Sequence, residues 1–237
     1  MNVSVSPLSA FSVARRWPPR DPSAIQLYSY PTPNGVKVSI ALEELGLPYE
    51  AHLVHIGRDD QHTPEFLSLN PNNKIPAIID PAGPDGRPLA LFESGAILIH
   101  LAERTGRLIG AGPGERAEVL QWLTFQMGGV GPMFGQLGWF TTGGGKAIED
   151  PRPRERYQAE AARLLRVLDG RLAGRDWVAG GYSIADIALA PWVRTLRDSY
   201  KAGGETGLDD CAHVTAWLAR FLDRPAVQRG LAQPEVR

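Results

Sequence analysis

Apolar residues recur with two different periods along this 237-residue chain, and the change from one to the other divides it. Residues 25–30 have the length and residue types of a buried strand, which stops at Pro31-Thr32-Pro33-Asn34-Gly35, a turn sequence. Val38, Ala41, Leu42 and Leu45 then fall at helical spacing, closed by Gly46. Residues 49–56 predict a second strand, parallel to the first because a helix intervenes. After a short helical turn over 64–70, Ala77–Asp80 and Leu89–Phe92 predict a hairpin across Pro84-Asp85-Gly86. A helix over Ser94–Thr105, stopped by Gly106, completes the order βαβαββα.

Beyond a glycine-rich linker over 106–114 the period is helical throughout. Residues 116–127 predict a helix that Gly128-Gly129-Val130-Gly131-Pro132 must break or bend. Gly143-Gly144-Gly145 marks a flexible loop before a long helix over 154–172, with Tyr157, Ala161, Leu164, Leu165 and Leu168 on one face. Ser183 and Asp186 stand at capping-box spacing, and Pro191 predicts a kink in the helix that follows. Residues 217–222 and Arg224-Pro225-Ala226-Val227 close this region, so the predicted domains are 24–106 and 114–233. Residues 1–23, with three arginines, four prolines and no continuous apolar run, predict a mobile arm or an extension that embraces a partner.

A net charge of −1 and a pI near 6.5 give no electrostatic reason for a nucleic-acid or membrane partner. The single cysteine, Cys211, excludes an intrachain disulfide framework and a Cys-x-x-Cys pair, and fits a reducing, cytoplasmic compartment. Any thiol chemistry must therefore borrow its thiol from a ligand. The five histidines form no ligand cluster at metal spacing, so no metal is implied.

Candidate chemistry concentrates between Asn70 and Leu98. Pro76 cannot donate to a ladder, so it stands at the start of its strand and leaves Ile75 extended, its amide and carbonyl open to a partner. An X-Pro bond in such a turn is a candidate for the cis form. Ser94 stands where it caps a helix whose first amides favour an anion. Together these features would hold a small peptide-like acid; they also fit an ordinary hairpin with an ordinary cap. Thr32 and Asn34, at the amino end of the first helix, can each donate to a sulfur anion, and such a helix end lowers a thiol pKa.

The run Asn70-Pro71-Asn72-Asn73-Lys74-Ile75-Pro76-Ala77-Ile78, followed by Phe92-Glu93-Ser94-Gly95-Ala96-Ile97-Leu98, resembles the glutathione-binding half of the glutathione transferase superfamily. Thr32-Pro33-Asn34 is similar to the motif of its bacterial Nu class, a branch known for glutathione-dependent disulfide reduction and weak conjugating activity. The match continues through Gln61, Leu120-Gln121-Trp122, Gly131-Pro132-Met133 and Glu155-Arg156-Tyr157-Gln158. The resemblance implies a glutathione transferase fold, in which an N-terminal thioredoxin-like βαβαββα domain precedes a C-terminal helical bundle, and a homodimer. It implies glutathione as co-substrate, two molecules per site or one oxidised molecule, acting on a small disulfide or electrophile.

Residue by residue, the resemblance implies that Thr32 and Asn34 contact the sulfur and that the Ile75 backbone, before Pro76, pairs with the cysteinyl amide. Glu93 and Ser94 would bind the γ-glutamyl end, Gln61 would hold the glycyl carboxylate region, Lys74 would attract a carboxylate, and Arg156 would reach a second glutathione. The expected reaction is disulfide reduction with weak transferase or peroxidase side activity. Conjugation of glutathione to an electrophile and a non-catalytic binding module are the alternatives. Thiol activation by Tyr28 or Tyr30 is a further possibility, although strand alternation makes one of them a core residue. Trp139 stands where the resemblance leads one to expect a histidine, which makes the acceptor side more aromatic.

Overall fold

The structure is a computed structural model that describes residues 7–236. The chain folds as two units, one made by the chain up to Leu101 together with the stretch from Ala226, the other by Ala102–Pro225.

In the first unit, a one-turn helix α1 (Val13–Arg16) precedes strand β1 (Ile25–Ser29), helix α2 (Pro33–Leu45) and strand β2 (Tyr49–Leu53). A single turn α3 (Pro64–Leu67), strands β3 (Ala77–Asp80) and β4 (Leu89–Phe92) and helix α4 (Ser94–Thr105) follow. The sheet order is β2-β1-β3-β4, with β1 parallel to β2 and antiparallel to β3. This is the mixed sheet of the thioredoxin-like fold. All five residues of β1 are buried, polar Gln26 and Ser29 included, because the strand has neighbours on both edges and cover on both faces. Gln26 meets that burial with bonds from its Nε2 to the carbonyls of Asp21 and Ala24, at 2.9 and 2.8 Å. The predicted hairpin is present, with Ile78 opposite Leu91 and Asp80 opposite Leu89.

Two segments depart from expectation. The stretch predicted as a mobile arm packs on this unit from Leu8 onward: Leu8 and Val13 are buried against Tyr28, Phe66 and Ile79, with Phe11 and Trp17 beside them. Trp17 Nε1 donates to the Leu53 carbonyl at 3.0 Å, and Glu50 accepts from the Arg20 and Asp21 amides and from Arg20 Nε. Residues 1–6 of that predicted arm lie outside the described residues. At the other terminus, the stretch from Ala226, predicted to close the helical domain, joins the first unit. Gly230 lies so close to α2 that a Cβ would stand 2.5 Å from the Ile40 Cα, and its carbonyl accepts from Ser39 Oγ at 2.6 Å.

The second unit contains α5 (Pro113–Phe125), α6 (Gly131–Thr141), α7 (Arg152–Leu172), α8 (Ile184–Asp198), the short α9 (Gly203–Thr206) and α10 (Ala212–Leu222); α11 (Pro225–Leu231) leads out of it. The glycine-rich stretch after α5 does not break the chain into separate helices. It forms one π turn, Gln126–Val130, that runs into α6 with Pro132 in the first turn, where a missing N–H costs nothing. α8 runs through Pro191 without interruption.

The capping box is present and belongs to a larger buried hub. Asp186, fully buried, accepts from the Ser183 amide (3.0 Å), Ser183 Oγ (3.2 Å), the Val178 amide (3.0 Å) and Trp217 Nε1 (2.9 Å). Burial still pushes its carboxyl up to about 6. One carboxyl thus fixes the start of α8, the preceding loop and α10. Asp186→Ala leaves these donors buried without a partner, each at a cost of roughly 1–3 kcal/mol. The variant is expected to lose about 3 kcal/mol or more, read as a fall in the midpoint of thermal or urea unfolding.

Candidate active site

The site of the first unit is assembled from three chain segments, each with its own local cause. The first is the turn from β1 into α2. Thr32 is extended (φ −91°, ψ 167°), and its Oγ1 caps the helix by accepting from the Gly35 amide at 3.1 Å. Accepting that bond leaves the hydroxyl proton free to be donated elsewhere. Pro33 occupies the first turn and Asn34 follows, so both candidate sulfur donors stand where the helix dipole is positive. Only glycine fits at Gly35, since a Cβ there would lie 1.9 Å from the Tyr30 carbonyl oxygen.

The second segment is the loop before β3. Asn70, 1% exposed, staples it: its Nδ2 donates to the Lys74 carbonyl at 2.6 Å and its Oδ1 accepts from the Asn72 amide at 2.9 Å. The Ile75-Pro76 bond is cis. The β3 ladder begins with Ala77, opposite Tyr28 on one side and Phe92 on the other, so it does not use the Ile75 backbone.

The third segment joins β4 to α4. Glu93 is exposed and lies in the left-handed region at φ +71°, a conformation that costs a non-glycine residue about 1 kcal/mol. Ser94 follows, 3% exposed, as the first residue of α4.

Together the segments enclose a cleft of about 160 Å³ lined by Asn34, Asn70, Asn72, Lys74, Ile75, Pro76, Glu93 and Ser94. Of the residues singled out from the sequence, six therefore line one cavity: Asn34, Lys74, Ile75, Pro76, Glu93 and Ser94. Thr32 is not in its wall but caps the helix that carries Asn34. Gln61 is not in its wall either. It sits in the 3-10 turn Asp60–His62, where its Oε1 is buried without a hydrogen-bond partner. Arg156 belongs to the helical unit and, with Met133, Tyr157 and Arg166, lines a cavity of about 730 Å³ there. In that unit the ring of Trp139, 47% exposed, meets Phe140 edge-on at 4.7 Å.

Tyrosine activation finds no support at Tyr28. That side chain is fully buried in the core of the first unit, and burial, with the charge of Glu50, raises its phenol above the ordinary range. Cys211 is 6% exposed, its Sγ donates to the Gly207 carbonyl, and burial raises its thiol pKa, which suppresses the thiolate.

Sequence reasoning missed Lys37. It is fully buried, and its Nζ donates to Asn34 Oδ1 at 2.8 Å and, more weakly, to Ser94 Oγ at 3.4 Å. Burial pulls its ammonium from the ordinary 10.5 down to about 7, a fall partly offset by the charge of Glu93. The available signal was a lysine inside the apolar run Gly35-Val36-Lys37-Val38, one helical turn after Asn34. Because its pKa falls on folding, the unfolded chain holds more protons than the native one between about pH 7 and 10.5. Stability conferred by this position is therefore lowest below pH 7 and grows as pH rises through that window. Relative to Lys37→Met, the wild type is expected to gain unfolding free energy across it, measured by urea denaturation at a series of pH values.

Residues 32–104 match the glutathione S-transferase N-terminal domain, and residues 151–220 match the C-terminal domain of the same family. The chain is 45% identical over 214 residues to the disulfide-bond oxidoreductase YfcG of Escherichia coli, covering 90% of this chain and 96% of that protein. It is similar to a glutathione transferase from Burkholderia graminis solved with two glutathione molecules bound per subunit: 60% identity, a TM-score of 0.97, and 99% and 98% of the two chains covered. A glutathione transferase from Pseudomonas putida, solved with one glutathione disulfide bound per subunit, matches at 60% identity and a TM-score of 0.95, covering 96% and 99%. Matched in both of its domains and along nearly its whole length, the chain belongs to the glutathione transferase family.

Proposed function

We propose that this protein reduces disulfides with bound glutathione as the nucleophile and with no cysteine of its own. The observation that carries the reading is the cleft in which Asn34, the segment before cis-Pro76, and Glu93-Ser94 converge, in a chain whose one thiol is buried with a raised pKa. The name of the E. coli relative and the glutathione disulfide bound to the P. putida enzyme support the same chemistry.

In this reading the Asn34 amide and the Thr32 hydroxyl donate to the glutathione sulfur, and the amino end of α2 adds its partial charge. Both favour thiolate over thiol. The Ile75 backbone pairs with the cysteinyl amide in extended geometry. Glu93 takes the γ-glutamyl ammonium, Ser94 takes its carboxylate, and Lys74 and Gln61 face the glycyl end. The thiolate attacks one sulfur of the substrate disulfide, forming a mixed disulfide and expelling the other sulfur as a thiolate, which takes up a proton. A second glutathione, for which Arg156 is the candidate anchor, attacks the mixed disulfide. The products are glutathione disulfide and the second substrate thiol, so two glutathiones supply the two electrons.

Binding also aligns the reactants and removes much of the entropic cost of their meeting. Attack on an electrophilic carbon or a peroxide follows from the same thiolate as a weaker side activity. We place this activity in the cytoplasm, where reduced glutathione and a lone cysteine are compatible, and in a homodimer, whose test is sedimentation of the purified protein. Among the described residues no helix is long and apolar enough to cross a membrane.

Calorimetric titration with reduced and oxidised glutathione, followed by turnover of a model disulfide beside a model aryl halide, tests the reading. Binding of both forms with faster disulfide turnover supports it; conjugation that outruns reduction moves the protein to the transferase alternative, and no binding overturns both. The Thr32→Ala, Asn34→Ala double variant is expected to lose turnover by about a hundredfold or more, since each removes a hydrogen bond to a charged atom. Its glutathione affinity should stay within about tenfold, because the backbone, γ-glutamyl and glycyl contacts of this reading remain. Cys211→Ser should keep full disulfide turnover; a variant that folds but loses it would contradict the cysteine-independent route.

A further inference from the structure

We infer that Lys37 is a positioning residue for the thiol chemistry: by holding the Asn34 amide oxygen it turns the amide N–H donors of Asn34 toward the site of the glutathione sulfur. The inference rests on the reading of Asn34 as a sulfur donor.

An asparagine amide is nearly symmetric in shape and opposite in chemistry at its two ends, so something must decide which end faces a ligand. An ammonium can only donate. With Lys37 Nζ 2.8 Å from Oδ1, the reversed amide would set N–H against N–H and would offer its oxygen, an acceptor, to a sulfur anion. Asn34 lines the cleft, and the end that Lys37 does not take is Nδ2.

Stability does not explain the lysine. A fully buried cation in this helix is a poor way to fill volume, since an apolar side chain would avoid the desolvation cost. Position does explain it. The same Nζ approaches Ser94 Oγ at 3.4 Å, so a single group touches one residue assigned to the sulfur end and one assigned to the γ-glutamyl end. The charge that acts on it is Glu93, whose carboxylate favours the ammonium.

The test is a double-mutant cycle read on the bound ligand. Ultraviolet absorbance of the thiolate, followed against pH in the glutathione complex, gives the pKa of the bound thiol for wild type, Lys37→Met, Asn34→Ala and the double variant. Lys37→Met is expected to raise that pKa by about one unit and to lower kcat at pH 7 about tenfold, with KM for glutathione within about threefold. In the Asn34→Ala background the same change should do nothing further, because Lys37 acts through Asn34. Lys37→Gln, which keeps an N–H donor, should recover part of the shift.

An unmoved thiol pKa in Lys37→Met, or effects of the two substitutions that simply add, would overturn the inference while leaving the functional reading intact. An Asn34→Ala protein with normal turnover and normal thiol pKa overturns the inference together with the assignment of Asn34. Should Lys37→Met fail to fold, the side-chain amide resonances of Asn34 in the glutathione complex of the wild type serve instead. Nuclear Overhauser contacts from the Nδ2 protons to the cysteinyl β-protons of glutathione are expected, and Nδ2 protons that instead contact the Lys37 side-chain terminus would overturn the inference.

Discussion

The turn between β1 and α2 is the constraint on which the first unit's site depends. The strand must end and the helix must begin within three residues, and the two come so close that no Cβ is tolerated at Gly35 against the Tyr30 carbonyl oxygen, 1.9 Å away. That closeness keeps the amino end of α2 at the mouth of the sheet. It also places Thr32, Asn34 and Lys37 close together, so that the helix cap, the proposed sulfur donor and the buried cation come from six residues of chain. A looser turn would leave the helix dipole aimed at solvent, where water screens it within about one turn.

Around that turn the unit accepts locally unfavourable choices, two of them at the cleft. Glu93 holds a left-handed backbone, and Lys37 is buried. Two other buried polar side chains are fully met: Asp186 collects four hydrogen bonds, and Gln26 uses both ends of its side chain, its Oε1 lying 2.8 Å from His52 Nε2. A left-handed acidic residue and a buried amine beside one cavity fit a site whose geometry serves something other than stability. Lys37 is the sharpest case, because a buried amine near its own pKa is costly at neutral pH and would be cheaply replaced were its contacts irrelevant.

Much of this was legible in the sequence, and the reason differs from element to element. The hairpin and α4 were readable to the residue because turn chemistry at Pro84-Asp85-Gly86 and the stop at Gly106 bracket them. The capping box was readable because its spacing is local, but Val178 and Trp217, which also bond Asp186, come from outside that spacing. The docked residues before β1 were not readable: Leu8, Phe11, Val13 and Trp17 are spaced singly among prolines and arginines, in turns too short to show a period. Likewise Gly230 carries no local sign of the helix it touches, since its partner Ile40 is far away along the chain. Lys37 escaped for another reason. Solvated lysines are the rule, and only the unbroken burial of α2 from Gly35 to Leu42 overturns that expectation.

The division of labour between protein and ligand follows from where the one thiol of the chain lies. A cysteine that attacks a disulfide must be exposed and its thiolate stabilised, whereas Cys211 is buried, with Asp169 and Asp210 adding negative charge that opposes ionisation. A borrowed thiol relaxes that requirement, because the nucleophile arrives with its own peptide handles and leaves as part of the product. What the protein must then supply is orientation and a field, and on the proposed assignment both are properties of backbone and fixed dipoles: the amino end of α2, the Ile75 segment, the start of α4 and an amide held one way round. Such groups are set by the fold and do not change state during turnover. The nucleophile is replaced each cycle while the donors stay in place, so a site of this kind needs no redox-active side chain of its own.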